Sequence, residues 1–352
     1  MADLAKSFFA DPLEDINLIG ITGTNGKTTT SFLLYNILRD FAGKAALFGT
    51  IKNIIDGEEV SASRTTPESL DLYRYFSKMR KKGVEYAVME VSSHALDLHR
   101  VRGMDFSAAI FTNLSPEHLD YHKNLDNYRE VKSRLFSNLQ SSSFAVINKD
   151  DQSSEYISEK SAGRNYFYSL KNKNSDLYCQ EFNLSKNGMN YKSGGLIAEE
   201  FNLSLGGVFN IYNSLAAILT AHLLGAETKV IKKSLRNIAG VPGRFEIIDA
   251  GQDFQIVVDY AHTPDGMENV LKTAAKLARK RIIVLFGCGG DRDRSKRPAM
   301  AKLAEKFADY VVVSNDNPRT EDPEKIFSEI KAGFSKDFKD YEVIADRAKG
   351  IN

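Results

Sequence analysis

Nine residues near the front of the chain, Gly20-Ile21-Thr22-Gly23-Thr24-Asn25-Gly26-Lys27-Thr28, have the types and spacing that hold a phosphate chain. Glycines let consecutive backbone N–H groups turn toward one anion, and a helix starting at the lysine adds the positive end of its dipole. Lys27 supplies a point charge for the β- and γ-phosphates, and the Thr28 hydroxyl is a ligand for Mg2+. The general pattern G-x-x-x-x-G-K-T asks for glycine at position 21, where this chain has Ile21. The plain alternative is a tight strand-to-helix turn that happens to carry a lysine. It has to explain why strand, glycines, lysine and helix coincide.

Glu90 closes the apolar run Tyr86-Ala87-Val88-Met89, and the carboxyl ends of strands are where open α/β sheets bind ligands. A carboxylate there suits Mg2+, a hard cation that takes oxygen ligands. The bland alternative is a cap on the following turn. His118 follows another strand end, Phe111-Thr112-Asn113, and an isolated histidine is more often structural than a ligand. Lys132 falls on an expected helix, where a solvated charge is the default. Asn210 and Asn213 lie one helix turn apart and offer amides to a base edge, or simply cover a helix surface. Arg292 and the stretch Asp316-Asn317-Pro318-Arg319 follow the ends of successive strand-like runs. A guanidinium there matches a carboxylate through two parallel hydrogen bonds; Asn-Pro is equally a common turn.

Such groups need a scaffold that gathers strand ends. Apolar runs over 17–21, 45–48, 86–89, 108–111 and 144–147 read as buried strands, and helical spacing covers 27–41, 67–82 and 125–139. This alternation predicts an α/β fold, with a P-loop-type central domain whose mostly parallel sheet is covered on both faces. From 163 to 205 the chain turns polar, with strand-like pieces such as Asn165-Tyr166-Phe167-Tyr168, and a small antiparallel insertion is expected. Helices return over 211–224 and 229–238, and the turn-rich Gly240-Val241-Pro242-Gly243-Arg244 marks a boundary. Beyond it, strands over 254–258, 282–286 and 310–313 alternate with helices over 264–278, 296–307 and 323–334, as in an incomplete Rossmann-like domain. The expected division is a linker over 1–15, a central domain over 16–243 and a second α/β domain over 244–352.

Composition narrows the function. Among 352 residues, 47 Lys and Arg face 46 Asp and Glu, for a net charge of +1. No basic excess exists to neutralise nucleic acid. Two cysteines, Cys179 and Cys288, cannot make a disulfide framework. No run approaches the ~18 apolar residues of a membrane span. A cytoplasmic protein is expected, acting on small molecules, with no membrane and no nucleic-acid partner.

Gly23-Thr24-Asn25-Gly26-Lys27-Thr28-Thr29 is the form this loop takes in the Mur ligases, ATP-dependent enzymes that add amino acids to the peptidoglycan precursor. Other segments follow in that family's order: Glu90-Val91-Ser92-Ser93-His94, the run from Asn113 to His122, Tyr128 through Lys132, Asn210 with Asn213, and Val241-Pro242-Gly243-Arg244. Asp259-Tyr260-Ala261-His262-Thr263-Pro264 and Gly287-Cys288-Gly289-Gly290-Asp291-Arg292-Asp293 complete the set. Over nearly its whole length the chain resembles the Mur ligases. Within them it is similar to the branch that adds meso-diaminopimelate to UDP-MurNAc-L-Ala-D-Glu, and Asp316 to Arg319 looks like that branch's signature for the diamino acid.

The resemblance implies roles residue by residue. ATP would lie on Gly23, Thr24, Asn25, Gly26, Lys27, Thr28 and Thr29, with its adenine at Asn210 and Asn213 and its ribose or a hinge at Asp259. Two Mg2+ sites would use Thr28, Glu90, His118 and Lys132, with Lys132 carbamylated by CO2. Arg244 and His262 would contact phosphate and serve catalysis with Lys27 and Lys132. Thr65, Thr66, Ser92 and Arg100 would hold the muramoyl dipeptide; the glutamine that family members often carry two residues before that arginine is Leu98 here. Arg292, Asp316, Asn317, Pro318 and Arg319 would hold diaminopimelate. The likeness also implies that the family's separate uridine-binding domain, which would precede Leu4, and its last strand–helix portion, which would follow Asn352, are missing here, as in a fragment or a reduced homologue; it further implies a monomer. Two alternatives stay open at this point. One is a Mg·ATP-binding homologue without turnover. The other is a lysine-adding, cyanophycin-type or folate-type ligase of the same superfamily.

Overall fold

The first-half apolar runs become strands because they are rich in β-branched and aromatic residues and are bounded by glycine and polar turns. In the computed structural model, which describes residues 1–185 and 188–352, they appear in chain order as follows. The strands are β1 (Asn17–Thr22), β2 (Ala45–Phe48), β3 (Lys52–Ile55), β4 (Glu58–Ser61), β5 (Tyr86–Glu90), β6 (Ala108–Phe111), β7 (Phe144–Asn148), β8 (Arg164–Ser169), β9 (Leu177–Ser185), β10 (Gly188–Gly195) and β11 (Glu200–Leu203). They form one sheet in the order β11-β10-β9-β8-β7-β6-β1-β5-β2-β3-β4. Pairing is parallel from β2 through β5, β1, β6, β7 and β8 to β9. It is antiparallel at both margins, β9-β10-β11 and β2-β3-β4.

The polar stretch expected to be a small antiparallel insertion therefore extends the main sheet. Its first strand, β8, pairs in parallel with β7, and only β9, β10 and β11 are antiparallel to one another. The reason lies in Tyr168, which is fully buried and donates its hydroxyl to the Phe111 carbonyl at 3.0 Å. The β3–β4 hairpin was not expected, although Asp56-Gly57 is a strong hairpin dipeptide. Both residues take positive φ, 52° and 80°. The segment over 1–15, expected to be a linker, contains the helix Ala2–Phe8. The helix expected from Pro67 starts at Ser69, after Glu68 in extended conformation.

Successive strand residues face opposite sides of the sheet. Leu18 packs with one core and Ile19 and Ile21 with another. The helices Lys27–Ala42, Val208–Leu223 and Thr228–Asn237 cover one face, and Ser69–Lys82 and Leu125–Ser137 the other. From β1 the chain builds outward first through β2 on one side and later through β6, β7 and β8 on the other. Such a reversal of strand order opens a crevice at the carboxyl ends of the strands, and the phosphate loop follows β1 directly.

This sheet belongs to a compact unit of residues 1–115 and 124–246; residues 116–123 and 247–352 form a second. In the second, β12 (Glu246–Ile248) pairs with β13 (Ile256–Val258), while β14 (Ile283–Phe286), β15 (Tyr310–Val313) and β16 (Tyr341–Val343) form a parallel sheet. Its core joins Phe286, Val311 and Val313 to Met267, Leu271, Met300, Ile326 and Phe327 from the helices Pro264–Leu277, Lys296–Phe307 and Pro323–Lys331. Two of these helices start on side-chain caps, Thr263 and Asp322, followed by Pro264 and Pro323 in the first turn. Among the described residues no helix is long and apolar enough to cross a membrane.

Candidate functional site

The loop after β1 is held by close backbone approach. Gly26 takes φ 86°, a left-handed conformation that glycine adopts without cost. A Cβ there would lie 3.3 Å from Asn213 Cγ and closer still to its Oδ1. Gly23 is packed in the same way against the Thr112 hydroxyl. Asn113 brackets the loop from the next strand: its Oδ1 accepts from Asn25 N at 2.9 Å and its Nδ2 donates to Asn25 O at 3.0 Å. Thr24 N donates to Asn113 O at 2.8 Å, and Thr24 Oγ1 bonds to both Ser115 N and Ser115 O.

Oxygen ligands gather beside that loop. Glu90 is buried, and its carboxylate accepts from Thr28 Oγ1 at 3.0 Å, Thr50 N at 2.8 Å and Thr50 Oγ1 at 3.0 Å. Arg244 Nη2 donates to Thr28 Oγ1 at 2.9 Å. Lys27 Nζ turns back on its own loop and donates to the carbonyls of Gly23 and Thr24 at 2.9 and 2.8 Å. Lys132, expected by default to be solvated, is 1% exposed. Its Nζ donates to Gly23 O at 2.8 Å and lies 4.4 Å from the centroid of the Tyr128 ring. Lys27, Thr28, Glu90, Lys132 and Arg244 are thus gathered around one loop. Among the described residues no three His, Cys, Asp or Glu side chains converge as a ready-made metal cage. A hydroxyl with one buried carboxylate suits a cation whose remaining ligands are water and phosphate, as Mg2+ prefers.

Asn213, expected with Asn210 at the adenine, lies against Gly26, and Asn210 sits behind it. Asn210 is fully buried; its Nδ2 donates to Gly206 O at 2.7 Å and its Oδ1 accepts from Asn213 Nδ2 at 2.9 Å. Asn213 Oδ1 accepts from Thr30 Oγ1 at 3.4 Å. Asn213 thus packs on the glycine turn, and Asn210 holds Asn213 in place.

A second cluster lies next to Glu90. Thr66 Oγ1 donates to Glu90 O at 2.8 Å and accepts from Ser92 N at 3.0 Å. Arg100 Nη1 donates to Thr66 O at 3.2 Å, and its Nε is 3.1 Å from Glu68 Oε1. Thr65 Oγ1 lies 3.1 Å from Thr50 Oγ1, within hydrogen-bond distance. The four residues expected on the dipeptide are therefore continuous with the Glu90 cluster.

The remaining candidates lie in the second unit. His118 has φ 55° and sits before the short helix Leu119–His122. Its Nε2 is 3.7 Å from Glu117 Oε1, and the same oxygen is 2.9 Å from His262 Nε2. Asp259 Oδ1 accepts from Ala261 N at 2.7 Å. Arg292 is exposed and donates to the Asp291 carbonyl at 2.8 Å. Arg319 has φ 51°, and its Nη1 donates to Gly290 O at 2.5 Å. Asn317 O accepts from Gly290 N at 2.9 Å. Asp316 and Arg319 are also the side chains a Cβ at Gly289 would meet. Cys288 is buried, which pushes its thiol up to about 11 and leaves it unsuited to be a nucleophile at neutral pH.

Residues 21–221 match the Mur ligase middle domain, and residues 243–352 match a domain described as Mur ligase, glutamate ligase domain. The chain belongs to the Mur ligase family. It is 44% identical over 355 residues to the UDP-N-acetylmuramoyl-L-alanyl-D-glutamate--2,6-diaminopimelate ligase of Syntrophomonas wolfei, covering 100% of this chain and 72% of that protein. The ligase of the same name from Geobacillus thermodenitrificans is 43% identical over 360 residues, with 100% and 73% covered. A solved structure of a ligase with this name matches at a TM-score of 0.71 and 34% identity, over 99% of this chain and 72% of that one. A Mycobacterium tuberculosis folylpolyglutamate synthase complexed with ADP has a TM-score of 0.83 at 18% identity, over 99% of this chain and 85% of that one, and shows a shared fold alone.

Several residues of this Mur ligase site carry no sequence signal of their own. Thr50 supplies two of the three donors to Glu90, and only its place just past β2, at a strand end, could have marked it. Glu117 lies beside His118 in the chain but 145 residues before His262, and its Oε1 faces both rings, a meeting that no local pattern encodes. Arg297, fully buried among carboxylates in the second unit, falls within the expected helix over 296–307 but carries no mark there of its burial.

Proposed function

We propose that this Mur ligase couples ATP hydrolysis to amide formation between the D-glutamyl side-chain carboxylate of UDP-MurNAc-L-Ala-D-Glu and an amine of meso-diaminopimelate. The ATP γ-phosphate would pass to the carboxylate, and the amine would then displace phosphate from the acyl phosphate. The observation that carries the reading is the Thr28–Glu90–Thr50 oxygen cluster beside a glycine loop at a sheet switch point. The diaminopimelate-ligase relatives, at 44% and 43% identity over the whole chain, support the choice of substrates.

In this mechanism the chain mainly positions groups and neutralises charge. The loop amides cradle the β-phosphate, and Lys27 exchanges its two carbonyl partners for phosphate oxygens. Arg244, already on the Thr28 hydroxyl, meets the transferring phosphate. Thr28 and Glu90 would hold one Mg2+, with His118 and Lys132 assigned to a second; bound magnesium supplies charge neutralisation of the triphosphate. Burial disfavours the charged form of a lysine. A neutral Lys132 amine would add to CO2, releasing one proton and leaving an anionic carbamate oxygen. Ser92, Thr65, Thr66 and Arg100 hold the dipeptide, with Arg100 on the D-glutamate carboxylate. Asp259 and His262 serve the nucleotide, and Arg292 with Asp316, Asn317, Pro318 and Arg319 serve the diamino acid. The enzyme acts in the cytoplasm as a monomer.

The test is phosphate release and product formation with authentic substrates. Lys27→Ala should abolish ATP-dependent product. Full activity in that variant would overturn the phosphate-loop assignment, and a clear preference for lysine over meso-diaminopimelate would overturn the choice of amine.

A further inference from the structure

Arg297 opens the helix Lys296–Phe307 and has no exposed surface. A buried guanidinium is costly unless it is paired and hydrogen-bonded; here both terminal nitrogens meet these conditions, while Nε is buried without a hydrogen bond. Its Nη1 and Nη2 donate to Glu321 Oε2 and Oε1 at 3.0 and 2.8 Å, a bidentate fork. Nη1 also donates to Glu329 Oε2 at 2.5 Å, and Nη2 to the Gly289 carbonyl at 3.2 Å. Glu329 pairs in turn with Arg294.

The far ends of this network are loops rather than core. Glu321 Oε1 accepts from Asp291 N at 2.6 Å, and the Asp291 carboxylate accepts from Thr320 N and Thr320 Oγ1 at 3.2 and 2.9 Å. Gly290 N donates to Asn317 O, and a Cβ at Gly290 would overlap the Pro318 carbonyl. The loop after β14, 287–292, is thus stitched backbone to backbone onto the loop after β15, 314–321. Arg297 touches both, through Gly289 and through Glu321. Replacing a whole buried ion-pair group by apolar side chains is often neutral, but removing the guanidinium alone would leave Glu321 and Glu329 without their partner. A loss of stability therefore does not by itself show a positioning role; a selective effect on the substrate that these two loops meet does.

We infer that Arg297 is a positioning residue for the amino-acid substrate, setting the spacing of the two loops and with it the aim of Arg319 and Arg292. The inference rests on the proposed function, which assigns those two arginines to the diamino acid. Arg297 itself has no surface through which to touch a substrate; it acts through Glu321 and Gly289.

The experiment compares the full chain with Arg297→Met and Glu321→Gln, measuring steady-state phosphate release and amide hydrogen exchange. Both variants should raise the KM for meso-diaminopimelate by about tenfold or more, with the KM for ATP within about twofold of wild type. Exchange should quicken at Gly290 and Asp291 and stay unchanged in Val311, Val312 and Val313 of β15. Equal rises in both KM values, or an unchanged diaminopimelate KM, overturn the inference. Loss of the cooperative melt in both variants makes Arg297 a scaffold group and overturns it too. Wild-type protein that shows no diaminopimelate-dependent phosphate release overturns the proposed function, and the inference with it; wild-type turnover with unaltered variants overturns the inference alone.

Discussion

Gly26→Ala puts the geometry of the phosphate loop to a quantitative test. Gly26 has φ 86° and ψ −11°, where an L-residue costs about 1–2 kcal/mol. The added Cβ would also lie 3.3 Å from Asn213 Cγ, with the Oδ1 closer still. Asn213 cannot swing aside freely, because it is buried, donates to Asn210 Oδ1 at 2.9 Å and accepts from Thr30. Disturbing a buried hydrogen bond there adds about 1–2 kcal/mol, for a total of about 2–4 kcal/mol. In a unit of this size that is a fall in Tm of roughly 5–15 °C. Asn213→Ala alone leaves the buried Asn210 oxygen without its donor and costs about 1–3 kcal/mol. In the double variant the colliding oxygen is gone, so the steric part of the Gly26→Ala cost vanishes and only the backbone part remains. The sum of the two single effects should then exceed the double effect by about 1–2 kcal/mol. Differential scanning calorimetry of the four proteins measures this directly. Strict additivity, or a Gly26→Ala protein within about 0.5 kcal/mol of wild type, would refute the idea that Asn213 braces the loop.

Three further outcomes can be measured on the same protein. Asn113→Ala removes both bonds to Asn25; it should cost about 1–3 kcal/mol and weaken ATP binding in calorimetric titration, and unaltered affinity would show that the bracket is dispensable. Glu90→Gln places an amide where Thr28 Oγ1, Thr50 N and Thr50 Oγ1 all donate, so the Mg2+ concentration for half-maximal turnover should rise by roughly tenfold or more; an unchanged magnesium requirement would remove Glu90 from the metal site. The Arg297 guanidinium, then the Asp291 amide, hold the Glu321 carboxyl down to about 2 from an ordinary 4.5. A carboxyl that is more acidic folded than unfolded contributes stability above its unfolded value and loses it as pH falls toward its folded value. Acid melts should therefore lose stability between about pH 4.5 and about pH 2, and Glu321→Gln should flatten that slope.

What could be read in the sequence was whatever a local pattern encodes. An apolar run ending in a glycine turn and a lysine implies strand, loop and helix dipole together, and Glu90 is legible because the carboxyl ends of strands are where an open α/β sheet binds its ligand. Lys132 shows where local reasoning stops. A lysine on an amphipathic helix reads as solvated, and only the pairing of β1 with β6, with the helix Leu125–Ser137 laid over that face, turns its amine onto the Gly23 carbonyl. Asn213 shows a second limit. The spacing from Asn210 is compatible with an open base edge, yet the helix that carries both is covered by the sheet and its amides are already engaged. Arg297 is the extreme case. Its partners Glu321 and Glu329 lie 24 and 32 residues away, and nothing in the run Lys296-Arg297-Pro298 distinguishes it from its half-buried neighbours. A site on an open α/β sheet is therefore half legible: strand ends announce the groups that meet the ligand, whereas the groups that hold those ends in register are set by strand order, which no single segment contains.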